Sequence, residues 1–244
     1  MLGRTHMAVG MLGAAALVPV VMHGGIHAEL VHHLSLVRLE DVVAVIAGGA
    51  VGGLLPDLDH RNSLAARRVE VIGQVVIFAT LLYLASFLHL QGLYMAIGAV
   101  VSLFSALLCK GELSRKVALF LIAAVCLYLA FIHHMSWLSG ILFAAWAIGA
   151  FSFDHRTFTH SLLGLVTFGV AAVSTMTAHT EVLAWFLLLG YVLHLVADSI
   201  SGGIPLLWPF IQERQGVRVV VTGSVMDKMV GFIATLGFLV ILIA

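Results

Sequence analysis

The stretch FSFDHRTFTHSLLG, Phe151–Gly164, decides how the rest of the chain is read. It lies between two apolar runs, about 137–153 and 161–178, and packs Asp154, His155, Arg156 and His160 into seven positions. Ionisable side chains are costly inside a bilayer, so a burst of them beside membrane-type segments marks a functional candidate. Whether the flanking runs are membrane-type is a question of composition. The chain is 61% hydrophobic and 10% charged, with a mean hydropathy of +1.12. Soluble domains carry about 25% charged residues, and the deficit implies an integral membrane protein. With 12 basic and 12 acidic residues the formal charge is zero, which removes any bulk attraction to nucleic acid.

Further apolar runs lie at about 7–22, 42–55, 69–88, 92–109, 117–132, 182–200 and 229–244. A bilayer core takes about 20 apolar residues of helix, and the runs from 69 onward meet or approach that length. The expected fold is all-α: one domain over residues 1–244, a polytopic bundle of about eight or nine transmembrane helices. The short run at 42–55 holds the glycines of Gly48–Gly53, which suit close helix packing or a partly re-entrant segment. The first run, behind Arg4, is long for a signal peptide and has no clear cleavage site, so it is expected to be retained. No internal repeat or polar linker divides the chain. Cys109 and Cys126 lack CxxC spacing and read as small buried hydrophobes.

Orientation follows from the basic residues. If Arg4 is cytoplasmic and every run crosses, then Arg61, Arg67, Arg68, Lys110, Arg115, Lys116, Arg156, Arg214, Arg218 and Lys228 share its side. Of the twelve basic residues only Arg38 falls opposite. That bias places the N-terminus in the cytoplasm.

Four polar groups then meet at the cytoplasmic edge: Thr5-His6, the segment Pro56-Asp57-Leu58-Asp59-His60, the stretch Asp154–Ser161, and the pair His194 and Asp198. The last pair is spaced i,i+4, which puts an imidazole and a carboxylate on one helix face, about 5–6 Å apart at Cβ. Such a pair can bind one divalent ion. Asp57, Asp59 and His60 follow Pro56, where short side chains can converge on an ion. His155 and His160 flank Arg156, a permanent cation shaped for phosphate. Each group has a plainer reading by itself: a solvated His6, a helix cap in PDLDH, snorkelling around Arg156. Their convergence in one layer favours a metal site. The remaining histidines, His23, His27, His32, His33, His89, His133, His134 and His179, fall on the opposite side and read as interfacial or solvated. Trp137, Trp146, Trp185 and Trp208 read as interface anchors or core packing.

Thr5-His6, Leu55-Pro56-Asp57-Leu58-Asp59-His60, His155-Arg156-x-x-Thr159-His160-Ser161, His194-x-x-x-Asp198 and a later Gly202…Pro205…Trp208-Pro209 together resemble the YdjM-like family. These are LexA-regulated, membrane-bound, metal-dependent hydrolases of bacteria, and the resemblance covers nearly the whole chain. It implies a hydrolase of the bacterial inner membrane. A more distant similarity is to the zinc-dependent phospholipase C and P1-nuclease group, whose all-helical enzymes cleave phosphoesters with clustered zinc ions. A second HxxxD/E pair and an N-terminal Trp are missing here, so one or two ions are expected instead of three.

On this reading His6, Asp59, His160, His194 and Asp198 are metal ligands. Asp57, His60 and His155 are further ligands or groups that orient them, with Asp57 and His155 also candidates for the catalytic chemistry. Arg156 holds the substrate phosphate, and Thr159 and Ser161 donate hydrogen bonds to it. The ion is expected to be zinc, although His/Asp sets also accept manganese, iron or nickel. Metal-activated water would cleave a phosphoester on a membrane lipid or lipid-linked substrate. No HExxH or GxSxG motif offers a different hydrolase chemistry. A metal-ion or proton-coupled transporter could use the same residues, but would want them near the bilayer midplane. A non-catalytic role, locking helices together, is the third reading.

Overall fold

The structure is a computed structural model that describes residues 1–21, 39–60, 63–87, 93–108, 111–176, 180–217 and 219–243. Arg38, Arg61, Lys110, Arg218, Cys109, His23, His27, His32, His33, His89 and His179 lie outside the described residues.

Each apolar run of the sequence holds a helix among its described residues. In chain order they are α1 Gly3–Val21, α2 Leu39–Gly52, α3 Leu64–Phe87, α4 Leu93–Leu108, α5 Glu112–Phe131, α6 Trp137–Ser152, α7 Leu162–Val173, α8 Glu181–Ser201 and α9 Val225–Ile243. A short 3-10 turn, Pro56–Asp59, follows α2. Among the described residues there is no strand, only an isolated bridge between Ile204 and Gln215. By length and hydropathy, α5 and α8 each suffice to cross a membrane. The helices α6 and α7 are apolar but shorter.

The glycine-rich run makes backbone contact on two sides, as close packing requires. A Cβ on Gly49 would stand 2.5 Å from the Gly10 carbonyl of α1, and one on Gly52 would stand 2.2 Å from the Leu187 carbonyl of α8. Only hydrogen side chains allow such approach, and the small-residue stripe lets α2 wedge between α1 and α8. This triple contact brings His6 of α1 beside His194 of α8.

A second packing unit holds the other half of the polar cluster. Trp146 meets Phe168 and Tyr191 edge to face, and those two rings are tilted on each other, with centroids 5.4–6.2 Å apart. The buried indole of Trp146 donates to the Tyr191 hydroxyl at 3.1 Å. Tyr191 in turn donates to the Thr159 carbonyl at 2.6 Å. The core thus reaches directly into the segment Phe153–Ser161 and fixes its height against α8.

Candidate metal centre

The polar segments separated in sequence meet in one buried cluster. His6, His160, His194 and Asp198 are each 1% exposed or less, and Asp57 and Asp59 are also buried. Four atoms face one another at its centre: Asp57 Oδ1, His160 Nε2, His194 Nε2 and Asp198 Oδ2. The two nitrogens are 3.2 Å apart. His160 Nε2 lies 3.8 Å from Asp57 Oδ1 and 3.5 Å from Asp198 Oδ2. His194 Nε2 lies 3.8 Å from Asp57 Oδ1 and 3.7 Å from Asp198 Oδ2. Ligand atoms at about 2.0–2.1 Å from a tetrahedral ion stand about 3.3–3.4 Å from one another. Five of the six separations among the four atoms are thus 3.2–3.8 Å, at or somewhat above that spacing and near enough for a shared ion.

The outward nitrogens of both imidazoles are engaged in the manner of metal-binding histidines. His194 Nδ1 lies 2.7 Å from the Gly53 carbonyl, which can only accept, so Nδ1 carries the proton and neutral His194 presents a lone pair at Nε2. Gly53 ends the glycine run, so the packing of α2 also sets the tautomer of His194. His160 Nδ1 lies 3.0 Å from Thr159 Oγ1, which spends its own proton on Asp59 Oδ2 at 2.5 Å. Thr159 therefore accepts from His160, and its Nε2 also faces inward. Burial disfavours charge on His160, yet Asp59 and Asp198 push its imidazole up to about 9.

Asp198 works on two sides. Its Oδ1 accepts from the Met1 amino nitrogen at 2.7 Å and from Ser201 Oγ at 3.2 Å, which leaves Oδ2 for the centre. His6 Nε2 lies 3.1 Å from Asp198 Oδ1 without the alignment of a hydrogen bond, and neither ring nitrogen of His6 has a hydrogen-bond partner. Its ring stacks on His194 with centroids 3.8 Å apart. A buried imidazole with two orphaned nitrogens beside a carboxylate fits a cation ligand. The ligand atoms of His6, His194 and Asp198 all fall within 4.8 Å of one another, as do those of Asp57, His160 and His194. The residues present therefore fit one divalent ion, with His6 available to a second.

Asp59 occupies a different position from Asp57. Its Oδ1 is 2.7 Å from His155 Nδ1, and its Oδ2 accepts from Thr159 and from the Arg156 backbone N–H. Burial works against its charge, but His160 and His155 hold the carboxyl well below the usual carboxylate range. The set Asp59, His155 and His160 also has ligand atoms within 4.8 Å. An ion there would have to displace those hydrogen bonds. Asp59 thus contacts His155 and, through Thr159, His160, while Asp57 Oδ1 faces the inward nitrogens; both carboxylates belong to groups that could hold a metal. His60 stacks obliquely on His155, centroids 4.2 Å apart, at the partly exposed rim. Burial and the neighbouring His155 lower its pKa.

Arg156 adopts φ 61°, a left-handed conformation that costs energy for a residue with a side chain. That backbone turn aims its N–H at Asp59 and lets its guanidinium reach within 3.7 Å of Asp198 Oδ2. Its Nε is buried without a partner.

Two expected substrate donors are already committed. Ser161 caps α7: its hydroxyl donates to the Phe158 carbonyl at 2.6 Å and accepts from Gly164 N–H at 3.1 Å. A serine immediately before an apolar helical run is the sequence signal for that role. Thr159 is likewise spent on Asp59. Both hydroxyls thus have acceptors within the protein.

Arg115, counted in the sequence only toward topology, proves to belong to the cluster's frame. It is buried on α5 and donates from NH1 to the carbonyls of Leu58, at 3.1 Å, and Ala150, at 3.3 Å. Leu58 lies between the two aspartates of the 3-10 turn, so a guanidinium from another helix fixes the backbone that carries both. Of the opposite-side histidines, His133 and His134 are exposed at the turn between α5 and α6.

No curated protein and no solved structure matches this chain. The family described as YdjM inner membrane protein matches over residues 1–244. The chain belongs to the YdjM inner membrane protein family.

Proposed function

We propose that this protein is a metal-dependent hydrolase acting on a phosphoester carried by a membrane lipid, at the cytoplasmic face of the inner membrane. The observation that carries the reading is the close set of inward-facing atoms on Asp57, His160, His194 and Asp198, 3.2–3.8 Å apart along the five edges that join the imidazoles to each other and to the carboxylates. Those four residues would hold the ion, with His6 beside them. A divalent cation held there supplies Lewis-acid polarisation of a phosphoryl oxygen and acidifies water. Zinc suits a mixed nitrogen and oxygen set, and manganese or another divalent ion is the alternative.

The chain's own residues supply the rest. Asp59 fixes the His155 ring through Nδ1, which leaves Nε2, on the partly exposed side, to take or give a proton during bond cleavage. Arg156 presents a permanent positive charge beside the centre and binds a phosphate oxygen. The burial of the ligand cluster excludes bulk water and strengthens each of these interactions.

The topology belongs to the same reading: the apolar helices form a polytopic bundle whose N-terminus is cytoplasmic, which puts the cluster at the basic, cytoplasmic edge. Support comes from where the cluster sits on each helix. His6 lies in the first turns of α1, His194 and Asp198 lie in the last turns of α8, and His160 directly precedes the Ser161 cap of α7. A site at helix ends suits a substrate with a wet head group and a tail in lipid. It suits a metal-ion or proton transporter less well, because transit needs ligands at mid-membrane with access from both sides.

The test is to purify the protein in detergent, measure bound metal, and assay lipid phosphomonoesters and phosphodiesters with wild type and His194→Ala. Metal-dependent release of phosphate or head group by wild type alone supports the proposal. Stoichiometric metal without cleavage of any ester, combined with ion flux in proteoliposomes, would replace it with transport.

A further inference from the structure

The connection between α8 and α9 carries an apolar surface that the metal site does not use. Its described residues, 202–217 and 219–224, form no helix. Backbone outside a helix or closed barrel cannot face the hydrocarbon core, because its peptide groups would go unsatisfied. The connection must therefore lie at the level of the head groups or beyond. Yet Phe210 is 92% exposed, Val217 76% and Val221 70%. Apolar side chains this open to the surroundings, at this level, are what an interfacial anchor presents.

The connection is firmly placed. Val217 and Val219 donate backbone hydrogen bonds to Ser199 and Ile200, so that strip runs along the end of α8. Ile204 and Gln215 exchange a pair of backbone hydrogen bonds that close the loop carrying Phe210. The apolar strip continues into exposed Ile200 of α8 and Val225 of α9, on helix walls that face lipid in an inner membrane protein. The same connection borders the candidate metal centre. The Leu206 carbonyl accepts from Leu162 N–H at 2.8 Å, Trp208 packs on Phe153 at 4.7 Å, and Gly202 lies against the Arg156 guanidinium.

We infer that Phe210, Val217, Val219 and Val221 form a lip immersed in the boundary between head groups and acyl chains of the leaflet that borders the metal centre. Its partner is the phospholipid surface itself. A second copy of the chain would have to cover Phe210 together with the lipid-facing walls of α8 and α9. Because the connection that carries the lip passes the Arg156 guanidinium at Gly202, it brings lipid head groups to the site from within the leaflet, by lateral entry. That last step rests on the hydrolase reading; the immersion of the lip does not.

Spin labels report depth directly. In a background of Cys109→Ala and Cys126→Ala, labels are placed through Phe210→Cys, Val221→Cys and, as a water-facing control, Glu213→Cys. The protein is reconstituted in vesicles of zwitterionic and anionic phospholipid. Labels at 210 and 221 should collide more often with oxygen than with a water-soluble nickel chelate, and the label at 213 should show the reverse order. Nickel-dominated collisions at both 210 and 221 would overturn the inference. So would shielding from both reagents with dipolar broadening that vanishes on dilution with unlabelled protein, which would identify a contact between copies. The readout is depth and not turnover, so it stands or falls separately from the hydrolase reading.

Discussion

His160 Nε2 and His194 Nε2 lie 3.2 Å apart, and the outer nitrogen of each ring is held by an acceptor. Two imidazole lone pairs directed at one point repel unless a proton or a cation lies between them. Carboxylate oxygens of Asp57 and Asp198 border the same small space, and such a set can hold a cation. From this pair the roles of the surrounding residues can be separated by experiment.

Asp57 and Asp59 should behave differently. Asp57→Asn removes a negative ligand and should abolish tight metal binding. Asp59→Asn should instead lower metal affinity about 10- to 100-fold, the usual effect of losing a group that orients a histidine ligand. Competition against a chromogenic chelator would measure both. Equal losses would show that the two carboxylates share one role.

Ser161→Ala tests the cap. Its hydroxyl serves α7 and not the site, so the substitution should cost about 0.5–2 kcal/mol of stability. Metal content should be unchanged, with thermal unfolding in detergent as the stability measure. A large loss of turnover at intact stability would restore Ser161 to the substrate.

The wedge of α2 can be tested at Gly49. A methyl group there has no space between the Gly10 carbonyl and the Ala14 side chain. Gly49→Ala should therefore destabilise the protein by about 1–3 kcal/mol, the usual cost of overpacking. Because Gly53 orients His194, metal affinity should fall with it. A midpoint unchanged from wild type would show that α1 and α2 do not pack this closely.

Arg115 is expected to act at a distance from the ion. Arg115→Met leaves the Leu58 and Ala150 carbonyls without their donor and loosens the turn that carries Asp57. Metal affinity should fall about tenfold or more, and Arg115→Lys should recover part of it. A calorimetric titration with zinc would read both variants. No change in affinity for Arg115→Met would limit the residue to holding α5 against α6.

The helices were legible because long apolar runs announce them; each of the nine runs contains one of α1 to α9, and of these α5 and α8 are long and apolar enough to cross a membrane. The grouping of His6, the PDLDH segment, the Asp154–Ser161 stretch, and His194 with Asp198 was legible because each polar group stands at or near the end of an apolar run. The division of labour between Asp57 and Asp59 was not. In a 3-10 turn, three residues complete a revolution, so positions i and i+2 point in different directions. One carboxylate turns toward His194 and the other toward His155, and spacing does not tell which. Arg115 was equally hidden, because its partners are backbone carbonyls on other elements. Ser161 carried a visible cap signal that its place in the HRxxTHS motif obscured.

Elemental analysis of the purified protein tests the central claim most directly. Wild type, His160→Ala and His194→Ala are purified side by side and equilibrated with zinc, and unbound metal is removed. The account predicts at least one tightly held ion per chain in wild type and its loss in both variants, each of which remains folded by circular dichroism. Wild type without stoichiometric metal, or variants that retain as much as wild type, would contradict it.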